Sequence, residues 1–331
     1  MVVGSATVEP VGVGVGLLSE LFAVRLSYQA GSGPSSLVVK IAPSSTEARR
    51  VAAGYGFYAR EVAVYRELGD EIGLRIPTIY LAEHDPATDD FVIVMEDLSG
   101  LRSANQVAGC RPADARQVVG DLARHHACFW EDSRLGDLAA LSSFASPPFP
   151  AFHRQTTTAA WPATLARFGE LLPPRFRALG DAWGEVGPRL MVEMGARPRT
   201  LTHGDARLDN MFFSDDARPV TLVDWQLASP WPGALDLACF IALSLSIDDR
   251  RRFGDELLAH YHQGLVDGGV LDYPMAELIE DLRRAVLFWF CSPITVSGLE
   301  LATDRAVELA RVIIERSMAA IDDLDALSLL D

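Results

Sequence analysis

The sequence predicts an α+β fold in which a small β-rich lobe precedes a larger, mainly helical lobe. Two observations lead to this prediction. Up to residue 98, short apolar and β-branched runs are separated by Gly, Ser and Pro turns, which is typical of strands. Beyond Gly100, apolar residues recur at helical spacing. We therefore expect an N-terminal lobe of residues 1–98, a connector near Asp97, and a C-terminal lobe of residues 99–331.

Composition narrows the classes of function. The 331 residues are 49% apolar and 22% charged, which is ordinary for a globular protein. With 29 basic and 45 acidic residues, the formal net charge is −16, which excludes nucleic acid as an expected partner. We also expect no membrane span, because the apolar stretches are too short or too interrupted.

Targeting and cysteine usage predict a cytoplasmic protein. Met1–Gly16 contains no basic residue and therefore does not resemble a secretory signal. The four cysteines form no CxxC pair, so we expect them to be reduced. The sequence makes no prediction of oligomeric state.

The expected N-terminal lobe contains several strands and one helix. A glycine-alternating apolar run at Val11–Gly16 opens it. The helix is predicted at Phe57–Leu68, where apolar residues recur every three to four positions. The other strands are predicted at Phe22–Tyr28, Leu37–Ile41, Ile76–Ala82 and Phe91–Met95.

The expected C-terminal lobe opens with a helix that has Pro112 in its first turn and His125 on its apolar stripe. Residues 142–162 are rich in Ser, Pro, Thr and aromatic residues, and we interpret them as a loop-rich insertion. A hairpin is predicted at Met211–Trp225. The chain is mostly helical thereafter and ends with a helix at Thr303–Leu324.

The strongest motif runs from His203 to Asn210. It has the spacing H-x-D-x-x-x-x-N, with Asp205 as its acidic residue, and a second carboxylate, Asp224, follows fourteen residues after Asn210. Asp and Asn also favour turns, and an ordinary turn is the structural alternative for each of these residues taken alone. Their combination favours a functional site.

The predicted hairpin brings these side chains together. Pairing of Phe213 with Val220 across the turn places Asn210 beside Asp224. Hard oxygen ligands gathered in this way suit Mg²⁺ with a phosphate substrate. The remaining carboxylate, Asp205, is suited to accept a proton from a hydroxyl group.

Lys40 and Glu61 form the second signal. Lys40 is the only lysine of the chain, and a compact ammonium is not interchangeable with arginine at a tight phosphate site. The alternative is a lysine that faces water from an edge strand. Glu61 falls on the apolar stripe of the predicted helix, and a buried carboxylate needs a partner, for which Lys40 is the candidate. The alternative is that Glu61 reaches the surface.

The remaining motifs are weaker. The run Val11–Gly16 can present backbone N–H groups to phosphates, but it matches neither G-x-G-x-x-G nor the P-loop, and a flexible strand or turn is the plainer interpretation. His125 and His126, and likewise His260 and His262, have no further His or Cys at ligand spacing, so we expect no zinc and place His125 in the core. A hydrolase is disfavoured because G-x-S-x-G is absent.

In chain order, these features form the protein-kinase set of parts: a strand lysine, a helix glutamate, a connector, H-x-D-x-x-x-x-N and a strand-terminal Asp. The chain resembles the aminoglycoside phosphotransferase and choline kinase-like superfamily over nearly its whole length, and within it the ecdysteroid-kinase-like branch. The motifs that carry the resemblance are Arg60-Glu61-Val62-Ala63-Val64-Tyr65, Met95-Glu96-Asp97-Leu98, Leu122-Ala123-Arg124-His125-His126-Ala127-Cys128-Phe129-Trp130, His203-Gly204-Asp205 with Asn210, and Val223-Asp224-Trp225-Gln226.

The resemblance implies a protein-kinase-like two-lobe fold and ATP- and Mg²⁺-dependent transfer of the γ-phosphate to a hydroxyl of a small molecule. It implies that Lys40 holds the α- and β-phosphates and pairs with Glu61, and that backbone groups of Glu96 to Leu98 meet the adenine. Gly14 and Gly16 are the candidates for covering the phosphates, although their run departs from the protein-kinase pattern.

The same resemblance implies roles in and around the motif from His203 to Asn210, which corresponds to the catalytic loop of the family. Asp205 is expected to be the catalytic base, and Asn210 and Asp224 are expected to ligate Mg²⁺. Arg207 stands where protein kinases have a lysine that faces the γ-phosphate, so we expect it to neutralise charge in the transition state. The resemblance further implies that Asp236 braces the catalytic loop and that His203 is structural.

Two alternatives remain open beside a small-molecule kinase. One is a catalytically inactive kinase fold that binds a nucleotide or metabolite. The joint presence of five expected site residues argues against it: Lys40, Glu61, Asp205, Asn210 and Asp224. The other is a protein kinase, disfavoured because only eleven residues separate Asp224 from Asp236 and leave no room for an activation segment. Trp225-Gln226 also replaces the Phe-Gly of protein kinases.

The identity of the alcohol acceptor stays open. The acidic surface suits an amine-bearing acceptor. The aromatic residues of 142–162 and of Phe288–Phe290, together with the branch resemblance, suit a lipophilic alcohol, although core packing is the plainer interpretation of Phe288–Phe290.

Overall fold

A five-stranded antiparallel sheet forms the N-terminal part of the computed structural model, which describes residues 1–11, 18–215, 219–297 and 304–330. The strands lie in the order β1-β2-β3-β5-β4. Their bounds are β1 Val2–Val11, β2 Glu20–Ala30, β3 Ser36–Ile41, β4 Ile79–Asp85 and β5 Asp90–Glu96.

The predicted strands are confirmed, with differences at their ends. The strand expected at Ile76 begins three residues later, at Ile79. Strand β1 was not expected before Val11; it is exposed along its length and is held by its pairing with β2. Of the run predicted at Val11–Gly16, only Val11 lies within the described residues.

Strand β3 is the middle strand of the sheet, and it carries Lys40. The register places Lys40 between Leu21 of β2 and Ile93 of β5. The lysine is therefore on an internal strand and is 3% exposed, so the alternative of a lysine facing water from an edge strand is wrong.

Two short helices, α1 (Thr46–Tyr55) and α2 (Phe57–Ala63), join β3 to β4. They meet at Gly56, whose φ of 67° lies in the left-handed region that favours glycine. Helix α2 continues as a π-turn at Val64–Leu68, so the helix predicted at Phe57–Leu68 is confirmed. Because α2 packs against β4 and β5, its inner face, including Glu61, is buried.

The rest of the chain is mainly helical. The helix predicted from Pro112 is confirmed, and the helix expected at 303–324 is described from Asp304 to Asp323. The helices are α3 Pro112–Cys128, α4 Phe149–Phe168, α5 Pro174–Gly195, α6 Ala234–Cys239, α7 Ile247–Asp267, α8 Met275–Phe288, α9 Cys291–Ser297 and α10 Asp304–Asp323. No helix in the described ranges is long and apolar enough to cross a membrane.

Short strands carry the predicted hairpin. Met211 pairs with Leu222 and Phe212 with Thr221, which confirms the predicted register. One further hydrogen bond, from Val223 N to the Asn210 carbonyl oxygen at 3.1 Å, extends the pairing to the end of the hairpin. The strands are β6 Arg102–Ser103, β7 Thr200–Thr202, β8 Met211–Phe213, β9 Thr221–Leu222 and β10 Ser229–Trp231.

Residues 142–162 are not a loop-rich insertion, and that expectation was wrong. Most of this segment belongs to helix α4, which runs from Phe149 to Phe168. Residues at helical spacing form its buried face, and this burial outweighs the weak helix propensity of its Thr and aromatic residues. The buried residues are Phe149, His153, Thr157, Trp161, Thr164 and Phe168.

Three glycines of α5 at helical spacing let α4 approach closely. A Cβ at Gly180 would lie 2.1 Å from Trp161, and a Cβ at Gly184 would lie 2.9 Å from the Thr158 hydroxyl. A Cβ at Gly187 would lie 2.9 Å from His153. The close packing of α4 on α5 therefore requires glycine at these three positions, because a packed core has no space for the atoms of a side chain.

We expect Gly180→Ala to lower the free energy of unfolding by about 1–3 kcal/mol, because the added methyl overlaps the Trp161 ring. Chemical denaturation measures the change. Gly169→Ala is the matched control, since a Cβ there meets nothing within 4 Å and the backbone φ is −55°. A Gly180→Ala protein as stable as this control would contradict the packing described here.

Candidate active site

Lys40 lies between two carboxylates where the sheet meets the hairpin. Its Nζ donates to both oxygens of Glu61, at 2.9 and 2.7 Å, and to Oδ1 of Asp224 at 2.6 Å. Glu61 is wholly buried, so the alternative that it reaches the surface is wrong. The structure brings together the lysine and glutamate that the sequence pairs, and it adds Asp224 as a second partner.

The charges of this triad do not balance. Burial raises the pKa of Glu61 to about 7, against the lowering effect of the Lys40 ammonium. For Asp224, burial alone would raise the pKa, but the contact with Lys40 outweighs it and lowers the pKa below its usual value. When both carboxylates are ionised they outnumber the one ammonium, and the Asp224 charge adds to burial in raising the pKa of Glu61. A cation bound there would offset the excess negative charge of the ionised pair.

Asp224 is held in an uncommon backbone conformation at the end of the hairpin. Its φ of 70° and ψ of 60° lie in the left-handed region, which aspartate tolerates better than most residues. A single turn, Trp225–Leu227, and strand β10 then lead to α6. Trp225 is fully buried and packs edge-on against His203, with ring centroids 4.7 Å apart. This short path contains no activation segment.

Asp205 faces Arg207 and Asn210. Arg207 Nε donates to both Asp205 oxygens, at 3.1 and 3.0 Å, and Asn210 Nδ2 donates to Asp205 Oδ2 at 3.0 Å. Because the amide is planar, this bond directs Asn210 Oδ1 away from Asp205. Arg207 also contacts Asp209, at 3.3 Å, so this cation too stands between two carboxylates.

Asp236 holds the catalytic loop through its backbone. Its buried carboxylate accepts from His203 N at 2.6 Å and from Gly204 N at 2.8 Å, and His126 Nε2 lies 3.2 Å from the same group. Burial alone would raise the pKa of Asp236, but the hydrogen bond and charge of His126, with His203, outweigh it and lower the pKa. The expected bracing role of Asp236 therefore has a physical basis in this geometry.

Gly204 and His203 fix the loop at its other side. Gly204 has a φ of 82°, and a Cβ there would lie 2.2 Å from the Leu227 carbonyl oxygen, so only glycine fits. His203 Nδ1 accepts from Asp205 N at 3.2 Å, and His203 Nε2 lies 2.9 Å from the Val223 carbonyl oxygen. This pattern requires the neutral Nε2–H tautomer, which ties the loop to the strand before Asp224.

In the connector, the Glu96 side chain is engaged in contacts within the protein, whereas the Leu98 backbone N–H is free to bind a ligand. The Glu96 carboxylate pairs with Arg75 at 2.8 and 3.0 Å and accepts from Thr78 N, so this side chain is structural. The Leu98 N–H has no hydrogen-bond acceptor among the described residues. Gly14 and Gly16 lie outside the described residues.

Two buried polar residues that position the site were not predicted from the sequence. Arg60 is fully buried; it donates to the Ala228 carbonyl oxygen at 3.1 Å and thereby ties helix α2 to the segment after Asp224. Gln106 Oε1 accepts from Leu208 N, at 2.8 Å, and supports the catalytic loop. Arg60 had a signal, a charged residue beside Glu61 on an apolar helix, whereas nothing in the sequence marks Gln106.

His125, the histidine expected in the core, is packed among aromatic side chains. His125 is buried against Trp225 and Phe129, and burial lowers its pKa to about 3. Across the parts of the chain that the structure describes, no group of three or more His, Cys, Asp or Glu side chains is arranged to hold a metal.

A cavity of about 280 Å³ opens beside Asp205, Arg207 and Asp224. Helices α1, α2, α4, α8 and α9 and the turn after Asp224 all contribute to its wall, so the cavity lies between the sheet side and the helical part. The wall is mainly apolar and includes the aromatic side chains Tyr55, Phe57, Phe144, Trp231, Phe288 and Trp289.

Most of the chain matches the model of a known protein family. Residues 14–271 match the model of the ecdysteroid kinase-like family, EcKL. The chain belongs to the ecdysteroid kinase-like family. No curated protein sequence matches it significantly.

Solved structures show the same fold. An ethanolamine kinase from Plasmodium vivax is similar at 12% identity, with a TM-score of 0.56 and coverage of 97% of this chain and 82% of that one. APH(2″)-IIIa, solved with GDP and kanamycin, is similar at 13% identity, with a TM-score of 0.55 and coverage of 98% and 94%. The predicted kinase-like α+β fold is confirmed. Family and fold together indicate a small-molecule phosphotransferase.

We expect Asp236→Asn to lower the free energy of unfolding at neutral pH by about 2–4 kcal/mol, because an amide cannot accept from both loop N–H groups and pair with His126. The folded-state pKa of Asp236 is lowered, so its contribution is complete above the ordinary aspartate pKa of about 3.9 and is lost as pH falls further.

The difference between wild type and Asp236→Asn, measured by denaturation at several pH values, should therefore shrink below about pH 3.9. A difference that stays constant down to the acid limit of folding would show that the Asp236 charge does not carry the effect.

Proposed function

We propose that this protein transfers the γ-phosphate of ATP, with Mg²⁺, to a hydroxyl of a small lipophilic molecule. The observation that supports this most directly is the arrangement at one end of the cavity. There Lys40, held by Glu61 and Asp224, stands beside the catalytic loop with Asp205 and Asn210. These five polar residues lie close together at one place, and a fold that only binds a nucleotide or metabolite would not require all of them.

The nucleotide would be held from the sheet side. Lys40 would contact the α- and β-phosphates, and Glu61 keeps its ammonium in place. The Leu98 N–H and the backbone of Glu96 would meet the adenine at the connector. Gly14 and Gly16 remain the candidates for covering the phosphates.

Mg²⁺ fits the residues at the hairpin end. Asp224 offers a carboxylate, Asn210 directs its amide oxygen away from Asp205, and both are the hard oxygen ligands that Mg²⁺ prefers. The excess negative charge around Lys40 also favours a cation there. Bound Mg²⁺ would neutralise charge on the transferring phosphate.

Asp205 would orient the acceptor hydroxyl and accept its proton as the oxygen attacks the γ-phosphorus. Arg207 keeps the Asp205 carboxylate in position through both its oxygens and can offer charge to the phosphate. Catalysis would then consist mostly of positioning and charge neutralisation.

The cavity favours a lipophilic alcohol over an amine-bearing acceptor. Among the described residues that line it, Asp205 and Asp224 are the carboxylates, and both already serve the catalytic site. An acceptor with several ammonium groups would need further acidic partners in the wall. The aromatic wall instead offers dispersion contacts and apolar burial.

We expect Asp205→Asn to reduce phosphate transfer by about 10²–10⁴-fold because it removes the proton acceptor. ATP affinity should stay within a factor of a few, since Asp205 is not assigned to the nucleotide. Transfer is measured as label moved from γ-labelled ATP into a metabolite extract, and binding by calorimetry. Equal loss of transfer and ATP affinity would contradict the assignment of Asp205.

We expect Asp224→Asn to weaken Mg²⁺-dependent ATP binding about ten- to a hundredfold, because one charged contact is lost. Calorimetry with and without Mg²⁺ tests this, and GTP in a parallel titration tests the choice of base.

Glu61→Gln is the matched control for Asp224→Asn. Each variant removes one carboxylate charge from Lys40, but Glu61→Gln leaves the proposed metal ligand intact and should keep the Mg²⁺ dependence. An Asp224→Asn protein with unchanged Mg²⁺ dependence would show that Asp224 is not the metal ligand.

A further inference from the structure

His153 is a buried imidazole in the wall of the cavity that also contains Asp205. It lies on helix α4 and is only 6% exposed. Its ring stacks on Phe288, with centroids 5.6 Å apart and an angle of 30° between the planes. The phosphate transfer described above makes no use of this side chain.

One nitrogen of His153 is already occupied. The Trp183 indole Nε1–H donates to His153 Nε2 at 3.2 Å. An indole nitrogen only donates, so His153 Nε2 must accept, and the proton of the neutral imidazole lies on Nδ1. Burial lowers the pKa of His153 to about 4, which keeps the ring neutral near pH 7.

The Trp183–His153 pair is built into the packing of α4 on α5. A Cβ at position 187 would lie 2.9 Å from both His153 Nε2 and Trp183 Nε1, so Gly187 leaves the space in which the two nitrogens meet. The hydrogen bond thus orients the imidazole and selects its tautomer from the side away from the cavity.

The other nitrogen, His153 Nδ1, has no hydrogen-bond acceptor among the described residues. Protein atoms do not enclose Nδ1 completely, so this nitrogen touches open space. The open space that His153 lines is the cavity. A nine-tenths buried imidazole therefore presents a directed N–H donor to a mainly apolar cavity.

We propose that the His153 Nδ1–H anchors a second oxygen of the acceptor, so that the acceptor is a lipophilic alcohol with a further hydroxyl or carbonyl group. The inference rests on the proposed function, which makes the cavity ligand the acceptor. A ligand that displaces water from the cavity leaves this donor unpaired unless it supplies an oxygen, and an unpaired buried donor is costly. In a mainly apolar wall, such a directed donor determines how the ligand is oriented toward Asp205.

The test uses two probes with one carbon skeleton, 1-tetralone and tetralin, which differ by a carbonyl oxygen. Their affinities are measured for the full chain without nucleotide, in wild type and in His153→Phe. The variant should weaken 1-tetralone binding about 3- to 10-fold more than tetralin binding, because only the ketone loses a hydrogen bond. Equal losses for the two probes would overturn the assignment.

A measurement on the wild type keeps the test decisive if His153→Phe fails to fold. The ¹⁵N spectrum of His153 should show the Nδ1–H tautomer, and 1-tetralone should shift the Nδ1 resonance while tetralin leaves it nearly unchanged. In Trp183→Phe, both tautomers should appear and the preference for the ketone should fall. An Nε2–H tautomer in the wild type would overturn the proposal.

These readouts need no ATP, so they separate two failures. A wild-type protein that transfers phosphate but shows no preference for the ketone would contradict the role of His153 alone. A wild-type protein that prefers the ketone but transfers no phosphate would contradict the proposed function instead.

Discussion

The contact of one buried ammonium with two carboxylates, one buried and one half-buried, is the interaction on which the rest of the site depends. Lys40 comes from the middle strand, Glu61 from helix α2 and Asp224 from the end of the hairpin, so this contact joins three parts of the chain at one point. Removal of the lysine would leave two carboxylates without a counter-charge in a buried place. The proposed metal ion would offset the excess negative charge of the two carboxylates when both are ionised.

Backbone hydrogen bonds hold the opposite side of the site. Asp236 accepts from two successive loop N–H groups, and His203 joins the loop to the strand before Asp224. Because these bonds and that of the Asn210 amide to the Asp205 carbonyl oxygen fix the loop through its main chain, the Asp205 side chain can line the cavity without supporting the loop itself. The residues that hold the loop in place are thus different from the residue that is proposed to react.

Local patterns made much of this site predictable. Strand alternation and a helical stripe placed Lys40 and Glu61 on inward faces, and antiparallel pairing placed Asn210 beside Asp224, because each of these relations spans one or two elements. The family resemblance added the expected bracing role of Asp236. The contact of Lys40 with Asp224 joins residues far apart in the chain, and no local pattern gives that distance.

The acceptor side of the molecule was less predictable. Helix α4 was mistaken for a loop because Thr, Pro and aromatic residues are weak helix formers, and its burial comes from a partner helix. The glycines of α5 lie at helical spacing, but their meaning appears only once Trp161 and His153 are seen to fill the spaces they leave. The cavity is a product of such packing between distant segments, so its size and its wall cannot be derived from the sequence.

The most direct test of the central claim follows the γ-phosphate itself. Wild-type protein is incubated with γ-labelled ATP, Mg²⁺, a metabolite extract and a generic protein, and the products are separated by size. Phosphatase treatment of the small-molecule fraction then releases the acceptor, which is partitioned between water and an organic solvent and identified by mass spectrometry. We expect label in a small molecule whose dephosphorylated form enters the organic phase. Label confined to the protein fraction, or to a water-soluble amine, would contradict it.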